Sequence, residues 1–285
     1  MYNNYLFLKK GTLSSLFLIL FTLQVSAFVP RATTILQKTA ENNGNGIYQI
    51  EQEVTFPNNF ESITLKETWI IENENTFKLI VSGTKELQDS VYQQFSYNFG
   101  QRTGVGTPSI PPKKATEDFI EKYFHVRTTD NYINLMLQMK ILPLSSLSKK
   151  TYKNTKEVVY EKDPFVNLAR VGGTISYALG EPTPADGDNL NPEFWIEQDQ
   201  FNLKKFRLPS KTEVTAEQYS VYARGFNFPK TRTVHWKNNL VTIQTLSVTP
   251  KTTKVTLNPK ANLKFDLPED LAAKPIIQEF YNLYR

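Results

Sequence analysis

Residues 47 to 81 alternate apolar and polar side chains with period two, and that pattern returns after residue 157 and runs to residue 257. In the first run Tyr48, Ile50, Val54 and Phe56 share one face while Gln49, Glu51, Glu53 and Thr55 share the other. A second run places Ile63, Leu65, Trp69 and Ile71 opposite Thr64, Lys66 and Thr68, and Phe77, Leu79 and Val81 carry a third. Such alternation marks half-buried strands, and short polar turns such as Pro57-Asn58-Asn59 and Asn73-Glu74-Asn75 join neighbours antiparallel.

A fourth strand is expected around Val91, Phe95, Tyr97 and Phe99. Further strands are expected at 158–161, 173–179, 194–198, 203–208, 213–223, 230–237, 240–248 and 254–257. About a dozen twisted strands do not stay flat in one sheet, so a strongly curved antiparallel half-barrel or barrel follows. Helical spacing interrupts it in three places. Ile35, Leu36 and Thr39 mark a helix after Pro30, ended by the Asn42 to Gly46 turn, and Leu271, Ile276, Ile277, Phe280, Tyr281 and Tyr284 mark another within 268–285. Between them, residues 100–150 read as an insertion. It comprises a Gly/Pro-rich loop to Pro112, then two helices over Thr116 to Leu142, capped at Thr116, broken near Thr128 to Asn131, with Phe119, Ile120, Tyr123, Ile133, Leu137 and Ile141 inward. The fold class expected is mainly β with helices (α+β), the helices covering one face of an open half-barrel.

The N-terminus has the three parts of a secretory leader. A polar stretch ends in Lys9 and Lys10, an apolar run spans Leu13 to Leu23, and Val25-Ser26-Ala27 supplies the small-residue exit, so residues 1–27 are expected to be removed and 28–285 to form one domain. The apolar run is shorter than the roughly 20 residues a bilayer requires, and Ser14 and Ser15 interrupt it, so no membrane anchor is expected after cleavage. The chain has no cysteine, which excludes disulfides, thiol catalysis and a lipobox. A free periplasmic protein is the expectation.

Catalytic, metal and nucleic-acid signatures are absent. Removing Lys9 and Lys10 lowers the formal charge from +5 to +3, without any block of Lys or Arg, so nucleic acid is not an expected partner. His125 and His235 lack partners at metal-ligand spacing, and no nucleophile elbow or phosphate-cradling loop occurs. Asp186-Gly187-Asp188-Asn189 with Glu193 resembles a calcium loop only superficially, because Leu190 stands where an oxygen ligand is needed. The carboxylate pairs Glu51/Glu53 and Glu72/Glu74 read as solvent-facing strand and turn residues. No enzyme, cofactor or metal is expected.

What remains is the aromatic load of 19 Phe, 14 Tyr and 3 Trp. A curved sheet has a concave face on which Trp69, Ile71, Phe77, Leu79, Phe95, Tyr97, Tyr177 and Trp195 are the candidates to line an apolar ligand cavity. Filling a core beneath the helices is the equal alternative for Trp69, Phe77, Phe95, Tyr177 and Trp195.

The stretch Phe194-Trp195-Ile196-Glu197-Gln198-Asp199-Gln200-Phe201-Asn202-Leu203-Lys204-Lys205-Phe206 resembles the strand-turn-strand signature of LolA-like proteins. The N-terminal order of a helix, Ile47 to Phe56, a strand through Thr68-Trp69-Ile70, then Phe77 to Val81 is similar as well. The resemblance implies an open half-barrel whose concave apolar face, under helices, binds lipoprotein acyl chains or other lipid in the cell envelope, a role in lipoprotein sorting or transport. A non-enzymatic module docking or sensing an envelope protein is the alternative. Arg170 and Arg207 are the candidates for the family's lid-locking arginine, and the 100–150 insertion exceeds the lid expected of the carrier.

Overall fold

A computed structural model describes residues 29–59, 61–147, 163–183 and 190–285. The chain divides into two units, Met1–Pro30 and Arg31–Arg285, and the second carries everything below. The leader, the strand expected at 158–161 and the turn at 186–189 lie outside the described residues.

The apolar face expected of the first four strands is the buried one. β1 (Ile47–Phe56), β2 (Ile63–Asn73), β3 (Thr76–Gly83) and β4 (Val91–Asn98) form an antiparallel meander, extended by β5 (Gln101–Gly104) and β6 (Ile110–Lys114). The chain then crosses the sheet and resumes at β7 (Val166–Val171), β8 (Thr174–Leu179), β9 (Glu193–Glu197), β10 (Leu203–Arg207), β11 (Glu213–Val221), β12 (Asn227–Trp236) and β13 (Asn239–Lys251). β13 pairs with β1, so the described strands run in the order β6-β5-β4-β3-β2-β1-β13-β12-β11-β10-β9-β8-β7, with β14 (Lys264–Phe265) paired to one end of β4. The sheet is open between β6 and β7.

Three differences from the sequence reading have physical reasons. The expected loop at 100–112 contains β5 and most of β6, and Pro111 and Pro112 fit there because β6 is an edge strand that owes no second row of hydrogen bonds. The expected strand at 254–257 is extended chain outside the sheet, anchored by side chains: Lys78 Nζ donates 2.6 Å to the Val255 carbonyl, and Gln94 Nε2 donates 3.0 Å to that of Asn258. β7 went unrecognised because Asn167, Ala169 and Arg170 break its alternation.

Tight turns close the meander. A Cβ on Gly83 would sit 1.7 Å from the carbonyl oxygen of Leu87, where the 3₁₀ turn Lys85–Leu87 folds back. Gly83→Ala is therefore expected to destabilise by about 1–3 kcal/mol through overpacking, read as a lower urea midpoint at unchanged slope.

The helices are α1 (Ala32–Glu41), α2 (Thr129–Gln138), the single turn α3 (Leu144–Leu147) and α4 (Lys274–Leu283). The first of the two helices expected within the insertion shrinks to a 3₁₀ turn, Glu121–Phe124, and Thr116 caps no helix; its hydroxyl donates to the Leu283 carbonyl. Thr128 is the cap instead, accepting from the Asn131 amide at 3.3 Å. The buried stripe of α2 is Tyr132, Leu135 and Met136, leaving Ile133 and Leu137 half-buried.

Curvature can be read from the covering segment. β4 and β9 stand eight strand spacings apart, about 38 Å along a flat sheet. Phe119 nevertheless stacks on Tyr97 of β4, centroids 4.7 Å apart, while Tyr123 packs edge-on against Phe194 of β9 at 5.6 Å. Four residues reach at most about 14 Å. The sheet therefore wraps around residues 119–125, giving the expected α+β open half-barrel, and no helix among the described residues is long and apolar enough to cross a membrane.

Candidate functional site

Six of the eight candidate residues form one array. Trp69, Leu79 and Phe95 are cross-strand neighbours on β2, β3 and β4, and Ile71, Phe77 and Tyr97 are the next row. All six are buried, on the face the covering segment lies against. Phe119 plugs the middle of the array, 6.1 Å from Trp69, 5.8 Å from Phe77 and 4.7 Å from Tyr97, centroid to centroid. Tyr177 is buried on the same face further along, with Phe201 at 5.9 Å. Trp195 lies on the opposite face from its neighbour Phe194, with Lys205 and Arg207 over its ring at 5.1 and 5.2 Å. The space between the sheet and the 119–125 segment is filled by side chains.

Beneath that segment lies a charged cluster that the sequence reading missed. Glu67 accepts from Arg285 Nε at 2.9 and 3.1 Å, from Gln52 Nε2 at 2.6 Å and from the Trp69 indole at 3.0 Å. Glu121 accepts from Arg232 NH1 at 3.1 and 3.0 Å, contacts His125 Nε2 at 3.1 Å, and has Arg285 NH1 3.9 Å away. Arg232 NH2 donates to Gln52 Oε1, which closes a ring of two arginines, two glutamates and a glutamine. Every member is at most 1 % exposed. Burial alone would raise the Glu121 carboxyl, but Arg232, His125 and Arg285 overcome it and hold it at about 2; burial pushes His125 down and keeps it neutral. The signal was parity, because Gln52, Glu67 and Arg232 occupy inward positions of β1, β2 and β12 beside Val54, Trp69 and Val234.

These arginines tie cover to sheet. Arg207 instead pairs with Glu213 at 2.8 Å within the sheet, and Arg170 is exposed on β7. Glu72 is also buried rather than solvent-facing, paired with Lys78. The Glu121/His125 pair has the composition of an acid-base couple, yet both are fully enclosed.

Open space lies elsewhere, under α4. A cleft of about 540 Å³ separates that helix from β4, β5 and β6, lined by Phe95, Arg102, Ile110, Lys113, Phe265 and Tyr281 among others. Of the eight candidates only Phe95 borders it. The Arg102 guanidinium lies 3.8 Å over the Phe95 ring and donates 2.8 Å to the Tyr281 carbonyl, fixing both walls.

No family model and no curated protein matches the sequence. Among solved structures, an outer membrane lipoprotein-sorting protein domain from Vibrio parahaemolyticus is similar at 12% identity and TM-score 0.46, over 78% of this chain and 93% of that one. A LolA superfamily protein from Nitrosomonas europaea is similar at 7% identity and TM-score 0.48, over 79% and 96%. A DUF1329 family protein from Desulfovibrio piger is similar at 10% identity and TM-score 0.41, over 78% and 93%. The likeness is one of fold, and the site must be argued from this chain's own residues.

Proposed function

We propose that this protein is an exported binding or carrier protein for lipid or lipoprotein chains, working in the periplasm, and that the chain is held in the cleft under α4. The leader-like N-terminus supports the location, and the missing cysteine, which rules out a lipobox, supports a free rather than an acylated protein. The observation that carries the reading is the cleft: its volume falls within the roughly 300–1,000 Å³ of small-molecule sites, and its walls include Phe95, Ile110, Phe265 and Tyr281 among polar residues that could orient a ligand. Each methylene it removes from water contributes up to about 0.8 kcal/mol. Binding rather than catalysis is supported by the arrangement of titratable groups, since the buried carboxylates and His125 are spent on one another away from the cleft.

The test is a fluorescence titration with N-phenyl-1-naphthylamine, an uncharged apolar probe. Gln278 lines the cleft from the exposed side of α4, so Gln278→Trp fills the space without disturbing the core. The variant is expected to bind the probe at least tenfold more weakly at an unchanged urea midpoint. Undiminished binding would place the ligand elsewhere.

A further inference from the structure

Arg102 and Lys113 stand directly opposite each other on β5 and β6, and both line the cleft. Directly opposed residues in an antiparallel pair hold their Cβ atoms about 5 Å apart, and like charges there repel. Nothing local offsets them. The cleft lining contains no Asp or Glu, and among the described residues neither cation has an ion-pair partner. The Arg102 guanidinium is 6 % exposed, is fixed by Phe95 and the Tyr281 carbonyl, and keeps a buried Nε without an acceptor. Burial and then the neighbouring Arg102 push the Lys113 ammonium down, as expected for two cations sharing one site.

Two like charges held side by side without a carboxylate cost free energy that an anion would recover. An arginine fork and an ammonium lining one cleft are also the usual recognition set for phosphate or carboxylate. Beside them the walls carry apolar Phe95, Ile110, Phe265 and Tyr281, with the amides Gln93, Gln278 and Asn282 among them. We propose that the cleft selects an amphiphile with an anionic head, phosphate or carboxylate, seated between Arg102 and Lys113, its chain running along Phe95, Ile110 and Phe265. This assignment rests on the reading that the cleft under α4 binds an apolar chain, and it adds the chemical class of the head.

Calorimetric titration of the full protein at low ionic strength, with ligands below their micellar concentration, separates the two statements. Dodecyl phosphate, dodecyl maltoside and inorganic phosphate are the probes. Dodecyl phosphate is expected to bind at least tenfold more tightly than the maltoside, and Lys113→Gln to remove most of that preference. Arg102→Gln is expected to do the same; because Arg102 also anchors α4, its thermal melt is recorded alongside, and exposed Lys113 carries the test if that variant fails to fold. Equal affinity of the wild type for both detergents overturns the head-group assignment and leaves the cleft reading standing. Failure of both to bind overturns the cleft reading too. Inorganic phosphate binding as tightly as dodecyl phosphate identifies a site for free anions and overturns the amphiphile. A preference that survives Lys113→Gln and Lys113→Glu overturns the role of this pair.

Discussion

Glu121→Gln is expected to cost about 3–5 kcal/mol of folding stability, because it leaves a buried cation without its carboxylate. Arg232 and Arg285 are each about 1 % exposed, and Glu67 and Glu121 are their only carboxylate partners among the described residues. Neutralising Glu121 gives the enclosed ring a net positive charge. Urea unfolding of the wild type, Glu121→Gln, Arg232→Met and the double variant reads the effect. Each single change is expected to lower the midpoint strongly, and the double variant to recover much of the loss, because the remaining Arg285–Glu67 pair is again neutral. A loss below about 1 kcal/mol in Glu121→Gln would mean that water reaches the ring.

The same ring makes the fold sensitive to acid. The Glu121 carboxyl is held at about 2 against an ordinary value of 4.5, so the unfolded chain takes up its proton first as pH falls. Stability from this group is full above about 4.5 and is lost as pH drops through about 2, a withdrawal of roughly 3 kcal/mol. His125, pushed down by burial, acts in the same direction from its ordinary value near 6.5 downward, since protonation again favours the unfolded chain. Below pH 4.5 the melting temperature of the wild type is expected to fall more steeply than that of Glu121→Gln. Parallel curves for the two proteins would contradict the assignment.

The strand framework was legible because period-two alternation depends on one buried face, which β1 to β4 and β10 to β13 possess. It failed at the edges, where β6 and β7 expose both faces and burial no longer writes a pattern. The aromatic array of Trp69, Phe77 and Tyr97 was legible for the same reason, but what covers it was not. Phe119 comes from a segment whose helical spacing resembled the first of two helices, while its path is set by tertiary bonds such as the Ile120 amide to the Tyr284 carbonyl at 3.4 Å. The cleft was harder to foresee. Arg102 and Lys113 are eleven residues apart within a stretch read mainly as loop, and only the β5–β6 pairing brings them opposite each other.

Phe119→Ala is expected to cost about 3–5 kcal/mol and to open a dry apolar cavity over Trp69, Phe77 and Tyr97. An empty apolar cavity of this kind takes small apolar guests and excludes water. Crystals of the variant under xenon pressure should therefore show xenon at the vacated ring, with none there in the wild type. The comparison also decides between the two places an acyl chain could lie. Phe119 lies against Trp69 while Phe95, two strands away in the same row, borders the cleft, so a dodecyl chain carrying a bromine quencher is expected to quench Trp69 emission only weakly in the wild type, measured in a variant with Trp195 and Trp236 replaced by Phe. Strong quenching in that background would mean that the 119–125 segment swings out to admit ligand onto the concave face. The filled array would then be a closed state of the binding site. Weak quenching, with dodecyl phosphate still bound, keeps the row beneath Phe119 as core and leaves the ligand under α4.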